Sequence, residues 1–148
     1  MTMQTYATLS LVPGPDTVPL ALHWLDDVVA TLGWPPRTSF KLRLCLDEAL
    51  TNVVMYGFPQ DQAKPGDEIA LSILGHDEQR IVEILDNGPA YDPTHNQPAD
   101  LVDTLSEAKI GGHGLRLMRH FLQDIQYQRI EGRNRLRLIA ADEPDPTS

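Results

Sequence analysis

The sequence predicts an α+β fold: a two-layer sandwich with helices packed on one face of a mixed, mostly antiparallel sheet. Three observations predict it. Two successive stretches, 17–32 and the one containing "DEALTNVVMYGFP" (47–59), carry the marks of helices. Two later pairs of segments alternate apolar and polar residues around short turns, the pattern of antiparallel hairpins. The resulting order, β-α-α-β-β-α-β-β, groups helices against a sheet and does not build βαβ units. A chain of 148 residues suits one domain with one core, and no internal repeat or domain-sized linker divides it.

Taken in order, residues 3–12 are rich in Thr, Tyr, Leu and Val and read as the first strand. "PGPD" breaks it, and Asp16 is placed to cap a helix over 17–32 that stops at Gly33. After "WPP", Thr38 or Ser39 is expected to cap a second helix that ends near Tyr56–Gly57. Its stripe of Leu42, Leu46, Ala49 and Val53 faces a core. "EIALSILG" (68–75) and "QRIVEILDN" (79–87) form a hairpin about "HDE". Residues 93–110 are long and polar, with a short helix expected near 99–108. "GGHGLRLMRHFLQ" opens with glycines and becomes a helix, and "IQYQRI" and "RLRLIA" are two strands about a turn at Glu131–Asn134. The domain is expected to span 1–141, with 142–148 a disordered acidic tail.

The bulk properties narrow the function. Net charge is −9 and the pI about 4.8, so the surface repels nucleic acids and anionic membranes. ATP is not excluded, because backbone N–H groups and a metal ion can hold its phosphates. The single cysteine, Cys45, permits no intramolecular disulfide and no CxxC pair, and reads as a small buried hydrophobe. The opening "MTMQTYATLS" has neither the charged region nor the apolar core of a signal peptide, and no run reaches the roughly 20 apolar residues of a membrane span. A cytoplasmic location is expected.

Three short stretches stand out against this background. Glu48 and Asn52 are four residues apart and so share one face of an otherwise greasy helix. An Asn oxygen is a hard neutral ligand suited to Mg²⁺, and a Glu one turn away could deprotonate a hydroxyl that attacks a γ-phosphate. In "LDNGPAYDP" (85–93), Asp86 falls where an apolar strand stops, a place from which a carboxylate can accept from an exocyclic amine such as that of adenine. Gly88 lets a planar ring approach the backbone. In "GGHGL" (111–115), glycine-rich backbone before a helix makes a phosphate cradle, though without the Lys-Ser or Lys-Thr of a Walker A loop. Each stretch alone is an ordinary border, turn or hinge.

Together, in this order and placement, they resemble the ATP-binding domain shared by gyrase, histidine kinases and mismatch-repair ATPases, over roughly residues 40–140. Within that superfamily, "DEALTN", "DNGPAYDP" and "GGHGLRLM" look most like the small stand-alone anti-sigma-factor serine/threonine kinases of bacteria. The resemblance implies the histidine-kinase-like ATPase fold, an ATP–Mg²⁺ site under a mobile lid at 93–110, and a homodimer. It implies binding of a sigma factor and phosphorylation of an anti-anti-sigma (STAS-type) protein on Ser or Thr. By the same resemblance Glu48 is the catalytic base, Asn52 the Mg²⁺ ligand and Asp86 the adenine-reading acid beside Gly88, while Lys109, Gly111, Gly112, His113, Gly114 and Leu115 lie along the phosphate-binding segment. Ala90 departs from the superfamily's Asp-x-Gly-x-Gly, a change that costs little where φ is negative.

A protein of another class fits the same residues: a nucleotide-gated protein that captures a partner without phosphoryl transfer. A histidine kinase fits less well, since His113 and His120 lie outside any long dimerisation helix.

Overall fold

Period-two and helical spacing produce five strands and three α-helices among the residues that the computed structural model describes, namely 3–59, 64–94 and 113–142, with the backbone alone for His113 and Gly114. They are β1 (Gln4–Leu11), α1 (Thr17–Leu32), α2 (Pro36–Asn52), a π-helical turn (Val53–Gly57), β2 (Ile69–His76), β3 (Gln79–Asp86), α3 (His113–Phe121), β4 (Asp124–Ile130) and β5 (Arg133–Ala141). The strands make one sheet in the order β1-β2-β3-β5-β4, antiparallel at every pairing among the described strands. The helix expected near 99–108 lies outside the described residues.

Register sets which residues share a face. Three cross-strand rows point toward the helices: Ile73–Val82–Leu138–Ile125, then Leu71–Ile84–Leu136–Tyr127, then Ile69–Asp86–Asn134–Arg129. Leu42, Cys45, Leu46, Ala49 and Leu50 of α2 pack on the apolar part of these rows, with α1 and α3 to either side. Each buried Leu or Ile contributes roughly 1.5–3 kcal/mol. The other face is polar, with Glu83 ion-paired to Arg137 at 2.7 Å, except for a small buried cluster of Leu74, Ile81 and Ile139.

Local chemistry fixes the ends. Gly33 closes α1 in the left-handed region at φ 70°, with Trp34 N–H donating to Val29 O at 3.2 Å, as in a Schellman closure. The start of α1 differs from expectation. Asp16 holds the cap position but its side chain makes no cap bond; Thr17 Oγ1 instead accepts from Gly14 N–H at 2.8 Å and donates to Val12 O at 3.0 Å. Helix α2 also begins earlier than Thr38 or Ser39. Pro36 opens it, because a first-turn residue needs no N–H and proline's fixed φ suits that position. The β4–β5 turn places Glu131 and Gly132 at φ 48° and 80°, the pair of positive values a two-residue I′ hairpin requires.

Asp142, the first residue beyond β5, is tied to the body of the fold. Its carboxylate accepts from Arg80 at 2.8 Å and from Thr38 Oγ1 at 3.2 Å, and the Arg80 guanidinium lies 5.3 Å from the Trp34 ring centre. Arg80 and Asp142 are 22% and 23% exposed, so removing one strands a half-desolvated partner. Asp142→Ala should therefore lower unfolding free energy by about 1–3 kcal/mol with an unchanged urea m-value. Arg43→Ala, which breaks an ion pair to Asp26 that is nearly half exposed, should cost no more than about 1 kcal/mol.

Candidate functional site

The third row of the sheet supplies a polar cluster where the helical cover ends. Asp86 closes β3 and is 5% exposed; Asn134 faces it across β3–β5 and is also 5% exposed. Asp86 Oδ1 accepts from Gly88 N–H at 2.9 Å and from Asn134 Nδ2 at 3.0 Å. Asn134 Nδ2 also donates to Pro89 O at 2.8 Å, and its Oδ1 accepts from Arg129 Nη1, Tyr91 N–H and the Tyr127 hydroxyl. Arg129 Nη1 reaches Gly88 O as well, at 2.8 Å. Burial pushes the Asp86 carboxyl above its ordinary value. The bonds from Asn134 and Gly88 and the Arg129 charge pull it back only in part.

Asp86, Pro89, Tyr91, Tyr127 and Asn134 form one end of a cleft partly open to solvent. Ala49 of α2, Val53 of the π-helical turn, Met118 of α3 and Leu136 of β5 supply its apolar walls, and Asn52 its other polar group. Asn52 is 9% exposed, and its amide has no hydrogen-bond partner among the described residues. At Asn52 the α-helix gives way to the π-helical turn, a local widening often found at functional sites. Tyr56 of that turn stacks on Tyr91 with ring centres 5.4 Å apart, tying it to the segment after β3.

Of the residues singled out by sequence, Asn52 and Asp86 meet in this cleft. Glu48 is half-buried one turn before Asn52 and is not among the lining residues. Its charge, after burial, helps raise the Cys45 thiol to about 12, so that cysteine is an inert part of the core, as expected. Gly88 is needed for close packing: a Cβ there would lie 3.1 Å from Asp86 Oδ1 and 3.3 Å from both Gly57 O and the Phe58 ring. Ala90 is exposed and has no positive φ, so the departure from glycine strains nothing. Helix α3 starts at His113, with Gly114 in its first turn, and Leu115 packs in the core and does not line the cleft. Lys109, Gly111 and Gly112 lie outside the described residues.

Tyr127, Arg129 and Asn134 were not singled out by sequence. One signal was present. The inward positions of β5 read Asn134, Leu136, Leu138, Ala140, so Asn134 breaks an apolar alternation at the level of Asp86. For a metal, the described residues hold no cluster of three or more His, Cys, Asp or Glu. A lone buried amide oxygen fits Mg²⁺ better than a cation that needs a protein cage, because Mg²⁺ keeps waters and takes phosphate oxygens.

Residues 11–140 match the histidine kinase-like ATPase domain family. The chain is 41% identical over 140 residues to the serine/threonine-protein kinase BtrW of Bordetella bronchiseptica, covering 93% of this chain and 95% of that protein. It is 28% identical over 135 residues to the serine-protein kinase RsbW of Listeria monocytogenes, covering 88% and 84%. The solved structure of the RsbU and RsbW domains of Rv1364c from Mycobacterium tuberculosis superposes with a TM-score of 0.56 at 14% identity. That alignment covers 91% of this chain and 32% of the other, and supports the fold.

The buried carboxylate of Asp86 gives a pH-dependent prediction. Its folded pKa is raised above the ordinary 3.8, so the ionised form is disfavoured in the folded state, and this cost is absent below the unfolded value and appears as pH rises through the folded one. Asp86→Asn keeps an oxygen for Gly88 and Asn134 and removes the charge. It should unfold at a higher temperature than the parent at pH 7, with the difference closing near pH 4. Thermal unfolding of both proteins across that range is the check.

Proposed function

The chain belongs to the histidine kinase-like ATPase domain family, and we propose on that premise that it acts as an anti-sigma factor that binds a sigma factor and phosphorylates an anti-anti-sigma protein. It is a protein serine/threonine kinase that uses ATP. The observation that carries the fuller reading is the meeting of Asn52 and Asp86 in one cleft, with apolar walls between them. The adenine lies between those walls with its amine toward Asp86, and the phosphates run toward Asn52 and the segment that contains Lys109, Gly111, Gly112, His113 and Gly114.

Asn52 would hold the Mg²⁺, which supplies charge neutralisation on the phosphates when bound. Glu48 takes the proton of the attacking Ser or Thr hydroxyl as that oxygen bonds to the γ-phosphorus and the bond to ADP breaks. The protein contributes positioning and electrostatics more than covalent chemistry. The partners are a sigma factor and an anti-anti-sigma protein of STAS type, the latter receiving the phosphate, and the kinase works as a homodimer in the cytoplasm. The −9 net charge argues against a nucleic-acid partner, and no described helix is long and apolar enough to cross a membrane.

One observation favours a second reading, a nucleotide-gated partner trap without phosphoryl transfer: Glu48 does not line the cleft in this conformation. The two separate by experiment. Glu48→Gln keeps shape and removes the basic oxygen, so ATP affinity should stay within about twofold while transfer to a partner's Ser or Thr falls roughly 10²–10⁴-fold. Asn52→Ala should weaken both, since it removes the metal ligand. Calorimetry with ATP and Mg²⁺, paired with radiolabelled transfer to a candidate anti-anti-sigma protein, measures the two quantities. Parental transfer by Glu48→Gln removes Glu48 as the base. A parent that captures partners from its own cells in ATP but phosphorylates none supports the trap.

A further inference from the structure

We propose that Asn134 is the positioning residue that makes the cleft select a base bearing an exocyclic amine: it engages one carboxylate oxygen of Asp86 and leaves the other as the acceptor offered to the ligand. The proposal rests on the reading of the cleft as an ATP site and adds to it what fixes the choice of base.

Both hydrogen bonds to the Asp86 carboxylate, from Gly88 N–H and Asn134 Nδ2, fall on Oδ1. Oδ2 has none among the described residues. The carboxylate is therefore held by one edge, and Asp86 lines the polar end of the cleft. The direction of the Asn134 amide is itself determined. A carboxamide has two donor hydrogens and one acceptor oxygen. Here the oxygen meets three donors, Tyr127 Oη, Arg129 Nη1 and Tyr91 N–H, and the nitrogen meets two acceptors, Asp86 Oδ1 and Pro89 O. Rotating the amide by half a turn would set hydrogens against donors and an oxygen against acceptors, so one orientation alone is satisfied. Asn134 thus always donates to Asp86, and Arg129 and Tyr127 on β4 keep it doing so. Adenine's C6 amine meets Oδ2 as a donor. Inosine, with a carbonyl oxygen at C6, brings one lone pair against another.

The test is binding of ATP and of inosine triphosphate, each with Mg²⁺, to the full chain by calorimetry. The parent should prefer ATP by roughly 10–100-fold, the difference made by one hydrogen bond to a charged acceptor. Asn134→Asp keeps the shape and the oxygen that Tyr127 and Arg129 address, but sets an acceptor against Asp86. Its preference should fall to within about threefold. Asn134→Ala removes the donor without adding an acceptor and should lose preference in the same direction. Thermal unfolding of each variant is recorded alongside, and if Asn134→Ala does not fold, the isosteric variant carries the test. A merely structural Asn134 would lower stability and weaken both nucleotides equally, and an unchanged ratio in folded variants overturns the proposal. A parent that binds both nucleotides alike also overturns it while leaving the nucleotide site standing. A parent that binds neither brings down the reading of the cleft itself.

Discussion

Everything distinctive about this molecule depends on the pairing of β3 with β5 in one register. That register sets Asp86 against Asn134, and the β4–β5 register adds Arg129 to the same row. Strand side chains alternate between faces, so a slip of one residue would carry Asp86 or Asn134 to the opposite, polar face and leave its partner buried alone. The apolar rows hold the register in place: Val82 with Leu138 and Ile84 with Leu136 lose their burial under the same slip. The hydrophobic core thus positions the polar site, and does so through integer counting along two strands.

Helix α2 meets two demands with one sequence. Over most of its length it is a core element, with Leu42, Cys45, Leu46 and Leu50 fully buried. At its last residue it delivers Asn52 to the cleft, and there the regular helix stops. The π-helical turn that follows swings the chain aside, and Gly57 and Phe58 come to lie against Gly88. A side chain at position 88 would push on the Asp86 carboxylate and this turn at once. The glycine of the "DNG" turn therefore serves packing at least as much as access, a purpose that a motif comparison does not reveal.

Much of the fold was legible in the sequence because its signals are local. The strand at 4–11, the helix that stops at Gly33, the hairpin about Asp77–Glu78 and the order of elements all follow from spacing and turn residues read within a window. The helix starts were less legible. Capping residues signal a helix N-terminus by composition, but at α1 the side-chain bonds come from Thr17 and not from Asp16 in the cap position, and α2 opens on Pro36. In the site, Asn52 and Asp86 were legible because each sits at the end of an element with a strong pattern. Arg129 and Asn134 were not, since their meaning comes from neighbours 41 and 48 positions away in the chain, in the bonds from Arg129 to Gly88 and from Asn134 to Asp86, and Tyr127 draws its meaning from Asn134. No window contains such a pair; it exists only once register is known.

The order of the rows explains why the site lies at one end of the sheet and not at its middle. Passing from Ile73–Val82–Leu138–Ile125 through Leu71–Ile84–Leu136–Tyr127 to Ile69–Asp86–Asn134–Arg129, the inward face changes from apolar, to apolar with one hydroxyl, to mostly polar. Tyr127 spans the change, with its ring lining the cleft and its hydroxyl on Asn134. The cleft is therefore a continuation of the core from which the helical cover has been withdrawn. A planar ring entering it gains burial against Ala49, Met118 and Leu136 much as a core side chain does. That gain is indifferent to the ring's polar edge. Discrimination has to come from the polar row beyond, where a buried acceptor without its donor is costly. Affinity and selectivity are thus supplied by adjacent rows of one sheet, and the alternation that separates its two faces keeps both on the side the helices leave open.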